Sequence, residues 1–152
     1  MKYLTGFILG IIFTILIMNL TSNIEKPFSF FSDNMTEPSD SVDENQIKIM
    51  KDRIILDIQN ASLGRYAPSG SMLPILNEKS NGIRVPVYSE KDIKIGDIIT
   101  FKTKEGLIIH RVIEIGKDDK GWYAITKRDN NPVSDGKIRF SQIKYKTIGV
   151  LW

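Results

Sequence analysis

The chain contains no cysteine and only one histidine. The first absence excludes disulfides, thiol nucleophiles and thiolate-bound metals. The second leaves no histidine cluster to hold a structural zinc, so neither a metal nor any other cofactor is expected. Sustained helical periodicity is also missing after the first twenty residues, and no internal repeat occurs. Charge of one sign is scarce only locally. Residues 21–44 carry six acids against Lys26, a net of −5, which leaves +7 for residues 45–152. Those lysines and arginines are scattered and match no nucleic-acid-binding motif, so no nucleic acid is expected as a partner. A basic surface beside anionic lipid is the more natural use of the charge.

The one long hydrophobic run is "LTGFILGIIFTILIMNL", Leu4 to Leu20, uncharged and interrupted only by Thr5, Thr14 and Asn19. At 1.5 Å per residue it would span about 26 Å as a helix, close to a bilayer core. The following "TSNIEKP" lacks a small-x-small cleavage site, so a retained anchor is expected rather than a removed leader. Lys2 before the run and the acidic stretch after it orient the N-terminus to the cytoplasm and the rest of the chain to the extracytoplasmic side. Residues 1–22 are thus read as a single transmembrane anchor and 23–45 as an acidic flexible linker. A β-rich domain is expected over 46–152.

Within that domain the apolar period is mostly two. "IKIMKDRIILDI" reads as a hairpin turning at Lys51-Asp52. "GIRVPV" reads as a short strand that Pro86 confines to an edge or a bulge. "GDIITFKTKEGLIIHRVIEI" gives the strongest hairpin, with Ile99 and Phe101 on one face and Gly106 closing the loop. "WYAITK" and "TIGVLW" supply further strands. The expected architecture is mainly β and barrel-like.

Chemistry has few places to reside. In "APSGSMLP", Gly70 lets the chain bend so that the Ser71 hydroxyl and amide face outward together, as a nucleophile and its oxyanion donor must. On its own Ser-Gly-Ser is an ordinary loop. His110 is the lone imidazole, in mid-strand on the face of Ile108 and Val112, where a core histidine is the plainer reading. "TKRDNNPVSD" brings Asp129 and Asp135 into a turn rich in Asx side chains. Taken in order, the three segments offer a nucleophile, a base and an orienting acid.

These segments resemble the type I signal peptidases, specifically the endoplasmic-reticulum and archaeal branch. "SGSMLP" is similar to that family's Ser-x-Ser-Met-x-Pro box and "GDIITF" to its Gly-Asp-Ile strand. "HRVIEI" falls where bacterial members carry Lys-Arg, with His in place of Lys. "TKRDNNPVSD" is similar to its Asp-Asn-Asn box. The resemblance covers about residues 64–152 and the single anchor. It implies a signal-peptidase-like β-barrel domain and a membrane-anchored serine endopeptidase that removes signal peptides from exported preproteins. By the same resemblance Ser71 is the nucleophile, His110 the general base and Asp135 the acid orienting it, with Asp129 a supporting acid. The Ser71 amide and Ser69 hydroxyl become oxyanion donors. Tyr66, Ala67 and Pro68 on one side, and Ile108 and Ile109 on the other, would flank a substrate bound as an added strand. Secretion-machinery proteins are further possible partners. Arg128 stands where the family has glycine; were a positive φ required there, Arg128 would be strained by about 1 kcal/mol or more. Two other readings remain: a self-cleaving regulator of related fold with lysine as base, and a catalytically inactive tethered β-domain.

Overall fold

The computed structural model describes residues 36–152, which form one compact unit, Thr36–Trp152. The expected anchor and the first part of the expected linker lie outside the described residues. Among the described residues no helix is long and apolar enough to cross a membrane.

The unit is mainly β. Strands β1 (Ile47–Ile49) and β2 (Ile54–Leu56) form a separate two-stranded hairpin, turned at Met50–Arg53 as the alternation predicts. The remaining seven strands are β3 (Ser62–Arg65), β4 (Asn81–Pro86), β5 (Ile98–Thr103), β6 (Gly106–Asp118), β7 (Gly121–Lys127), β8 (Ser134–Arg139) and β9 (Ile143–Leu151). They make one antiparallel sheet in the order β3-β4-β9-β5-β6-β7-β8. Its outer strands, β3 and β8, do not pair with each other, so the barrel that the sequence leads one to expect is not closed by hydrogen bonds.

Pro86 shows how the pairing accommodates the sequence. Strand β4 lies between β3 and β9 rather than at an edge, but β3 reaches only from Asn81 to Arg84. Pro86, at the end of β4, therefore faces β9 alone, and its missing N–H leaves no ladder bond unmade on the β3 side. Strand β5 is central and buried on both faces. Ile99 and Phe101 enter one core with Val112, Trp122, Ala124 and Ile138. Ile98 enters a second core with Met72 and Leu76. Full burial of side chains such as Ile99 and Phe101 stabilises the fold by about 1.5–3 kcal/mol each. The second core matters for the site, because Met72 and Leu76 fasten the segment that carries Ser71 onto the sheet.

The segment expected to be a free linker is not free in its described part. Ser39 donates to the buried Asp97 carboxylate through its amide at 2.9 Å and its hydroxyl at 2.7 Å. Arg111 donates to the Thr36 carbonyl at 3.2 Å. Gly96 makes the close approach possible: at φ +96 it sits so near the Glu37 carbonyl that an added Cβ would lie 1.9 Å from that oxygen. Gly96→Ala is therefore expected to dislodge residues 36–39, with faster proteolysis before residue 44 and a stability loss of about 1–3 kcal/mol as the measurable results.

Candidate active site

Burial and pairing bring an imidazole and a carboxylate together. His110 lies on β6 with only 4 % of its surface exposed, its ring edge-on to Phe101 at 6.1 Å between centroids. Asp135, expected in a turn, is instead the second residue of β8, and its Oδ2 stands 2.6 Å from His110 Nδ1. A carboxylate only accepts, so Nδ1 carries the hydrogen and Nε2 keeps the lone pair. The same Oδ2 accepts from the Thr126 hydroxyl at 2.8 Å. Thr126 is fully buried on the inward face of β7, following Trp122 and Ala124 at every second residue. It fixes the carboxylate that fixes the ring.

Burial lowers the His110 pKa from the ordinary 6.5, opposed by the Asp135 charge and hydrogen bond and reinforced by the Arg128 charge. The ring thus stays neutral to lower pH than a free histidine does.

Asp129 is held differently. Arg111 clamps it with two bonds of 2.8 Å, and both side chains are almost wholly buried, 5 % and 2 % exposed. A further Arg111 bond reaches the Gly96 carbonyl at 2.8 Å. Asp129 therefore hydrogen-bonds to neither Ser71 nor His110, acting on the ring only through its charge, and it anchors its loop. The next residue, Asn130, donates its backbone N–H to the Ser71 carbonyl at 3.0 Å and its side-chain amide to the Gly70 carbonyl at 3.3 Å. The acidic loop and the serine loop are thus tied together. Arg128 causes no strain, since Asn60 is the one non-glycine with positive φ among the described residues.

Ser71 follows Gly70, which adopts φ +66. Its hydroxyl accepts from Ser69 Oγ at 3.1 Å, and its amide donates to the same oxygen at 3.4 Å. Ser71 and His110 line one cleft of about 490 Å³ but are not hydrogen-bonded to each other. Tyr66, Ala67, Ile108 and Ile109 also line it; Pro68 does not.

The cleft is bordered by strand edges. Strand β6 pairs with β5 from Gly106 to Arg111, but with β7 only from Arg111 onward. Its edge on the β7 side is therefore open from Gly106 to His110. Opposite stands Tyr66, directly after β3, an outer strand paired on one side only. Tyr66 packs over Gly82, where an added Cβ would fall 1.6 Å from the phenol oxygen. Gly82→Ala is expected to push Tyr66 into the cleft, weakening the Kd of an extended peptide bound there about tenfold as read by anisotropy.

Arg111 and Asn130 sit inside the "HRVIEI" and "TKRDNNPVSD" segments without an assigned role, and Thr126 shows only as a place in the alternation of "WYAIT".

The chain matches no protein-family model, no curated protein and no solved structure.

Proposed function

We propose that the protein is a serine endopeptidase of the signal-peptidase type, anchored by residues 1–22 and acting on the extracytoplasmic side of the membrane. One observation carries the reading: a buried, carboxylate-oriented imidazole shares with an exposed-loop serine a cleft bordered by two open strand edges. The barrel-like signal-peptidase fold belongs to the same proposal. An extended peptide fits between the edges, taking main-chain hydrogen bonds from both and placing alternate side chains into the apolar surroundings of Ile108 and Ile109.

In the mechanism, the Ser71 hydroxyl turns from Ser69 toward His110. His110 Nε2 takes the proton as Ser71 Oγ attacks the peptide carbonyl, and the imidazolium is stabilised by Asp135. Collapse of the tetrahedral intermediate breaks the C–N bond, and the imidazolium protonates the departing amine. Water then attacks the ester, giving its proton to His110, and the acid leaves with Ser71 restored. The Ser71 amide and the freed Ser69 hydroxyl stabilise the oxyanion. The lining holds His110 and no lysine, which favours this reading over a Ser–Lys self-cleaving regulator. The Ser69–Ser71 hydrogen bond, with none between Ser71 and His110, is the observation that favours an inactive domain.

Purified full chain in detergent is expected to cut a signal-bearing preprotein after a small residue, as read by product mass. An intact preprotein, together with failure of a fluorophosphonate to label Ser71, would support the inactive alternative. The pH dependence is a second check. A lowered His110 pKa keeps the base neutral below 6.5, so kcat/KM should hold as pH falls through 6.5 and decline only beneath it. That is lower than an unperturbed histidine would give. A half-maximal point above 6.5 would mean that the Asp135 charge outweighs burial at the ring, overturning the lowered pKa.

A further inference from the structure

The cleft carries more positive charge than cutting between small residues requires. Three arginines line it, Arg65, Arg84 and Arg128, and no aspartate or glutamate does. The nearby carboxylates are already committed: Asp129 to Arg111, and Asp135 to His110 and Thr126. Arg84 is occupied too, stacked 4.2 Å above the Tyr145 ring and donating to Ser62 at 3.3 Å. Arg65 and Arg128 have no hydrogen-bond or ion-pair acceptor among the described residues. Both are exposed, so neither charge is forced into the cleft by packing.

Their positions place them at different parts of a bound strand. Arg65 ends β3 beside Tyr66, on the wall opposite Ile108 and Ile109. Arg128 is the first residue beyond the last β6–β7 pair, Arg111↔Lys127. It stands where the open edge of β6 ends, next to His110, and acts on that ring electrostatically. A peptide lying along the edge from Leu107 to His110 meets Arg128 where its backbone passes the serine.

We propose that the cleft selects peptides bearing a carboxylate side chain close to the scissile bond, with Arg128 reading acids at or just after the cut and Arg65 reading acids several residues before it. The inference rests on the peptide-cleaving reading of the site and names the substrate class that site takes. Two guanidiniums facing an uncompensated cleft lower the free energy of an acidic peptide and raise that of a basic one. Partly solvated pairs of this kind contribute modestly, so a ranking of substrates follows rather than an absolute requirement.

The test uses three synthetic peptides with the same small residues flanking the cut and Glu, Gln or Lys in the first position after it. A second set carries the same three residues four positions before the cut. With full chain in detergent at low salt, kcat/KM is expected to rank Glu above Gln above Lys, with Glu over Lys about three- to tenfold. The ratio should shrink toward one at 1 M salt. Arg128→Gln should flatten the first series and Arg65→Gln the second, each leaving the other ranking in place. Anisotropy of the same peptides, labelled, reads the ranking as Kd without turnover. If nothing is cut but Glu peptides still bind more tightly, the protease reading fails and the charge selection stands. Equal affinity and equal rates for Glu, Gln and Lys would overturn the selection and leave the protease reading intact. A ranking that persists in Arg65→Gln/Arg128→Gln would overturn the assignment to these two residues.

Discussion

Ser71→Ala is expected to reduce cleavage of a signal-bearing substrate by roughly 10⁴- to 10⁶-fold, since a methyl group has no proton to lose and no lone pair to attack with. Ser69→Ala should fall well short of that, roughly 10²- to 10³-fold, because it removes one proposed oxyanion donor and leaves the proposed nucleophile. The difference separates two hydroxyls that stand 3.1 Å apart. Substrate binding measured by anisotropy should survive Ser71→Ala, because the open strand edges that hold the peptide are untouched. Full activity in that variant would end the proposal that Ser71 is the nucleophile. Asp135→Asn should cost roughly 10³- to 10⁴-fold, as the amide presents a donor to Nδ1 and favours the wrong tautomer.

The second large effect concerns stability. Arg111→Met leaves the Asp129 carboxylate buried at 2 % exposure with its two charge-assisted bonds gone. Breaking a buried pair from one side destabilises by about 3–5 kcal/mol. For a domain of this size that corresponds to a fall in Tm of roughly 10–20 °C. Denaturant unfolding followed by fluorescence should show it. Arg111→Met/Asp129→Leu should recover part of the loss, since no lone charge then remains in the interior. A loss below about 1 kcal/mol in the single variant would mean that water reaches the pair.

Within the seven-stranded sheet, the strands that alternation revealed most clearly are those with a buried face, whereas the β1–β2 hairpin follows the same alternation with all six of its residues exposed. The β5–β6 hairpin was legible because Ile99, Phe101 and Val112 point into one core, and β7 because Trp122, Ala124 and Thr126 do. Strands β3 and β8 were not legible. "SLGR" and "SDGKIR" each carry a single large aliphatic residue, and they are strands because neighbours supply their hydrogen bonds. Asp135 consequently read as a turn residue. Whether the sheet closes depends on how its two outermost strands meet, which no local pattern encodes; β3 and β8 do not pair.

At the site, the order of the serine, histidine and aspartate segments was readable, and His110 does meet Asp135. The partner of Asp129 was not. Arg111 adjoins His110 in sequence, and alternation alone sends its side chain to the opposite face without saying that the guanidinium is buried there. The strain expected at Arg128 is absent, because its loop is positioned by the Arg111 clamp and by Asn130 rather than by a glycine turn.

The gap alongside β6 has a consequence for what the enzyme would measure. A coiled segment has already spent its amide and carbonyl groups on itself and has none to offer a neighbouring ladder. In the proposed cleavage, only the stretch beyond the last turn of a signal's hydrophobic helix would be free to dock, so the place of scission would be fixed by where that helix unwinds as much as by which small residues follow it.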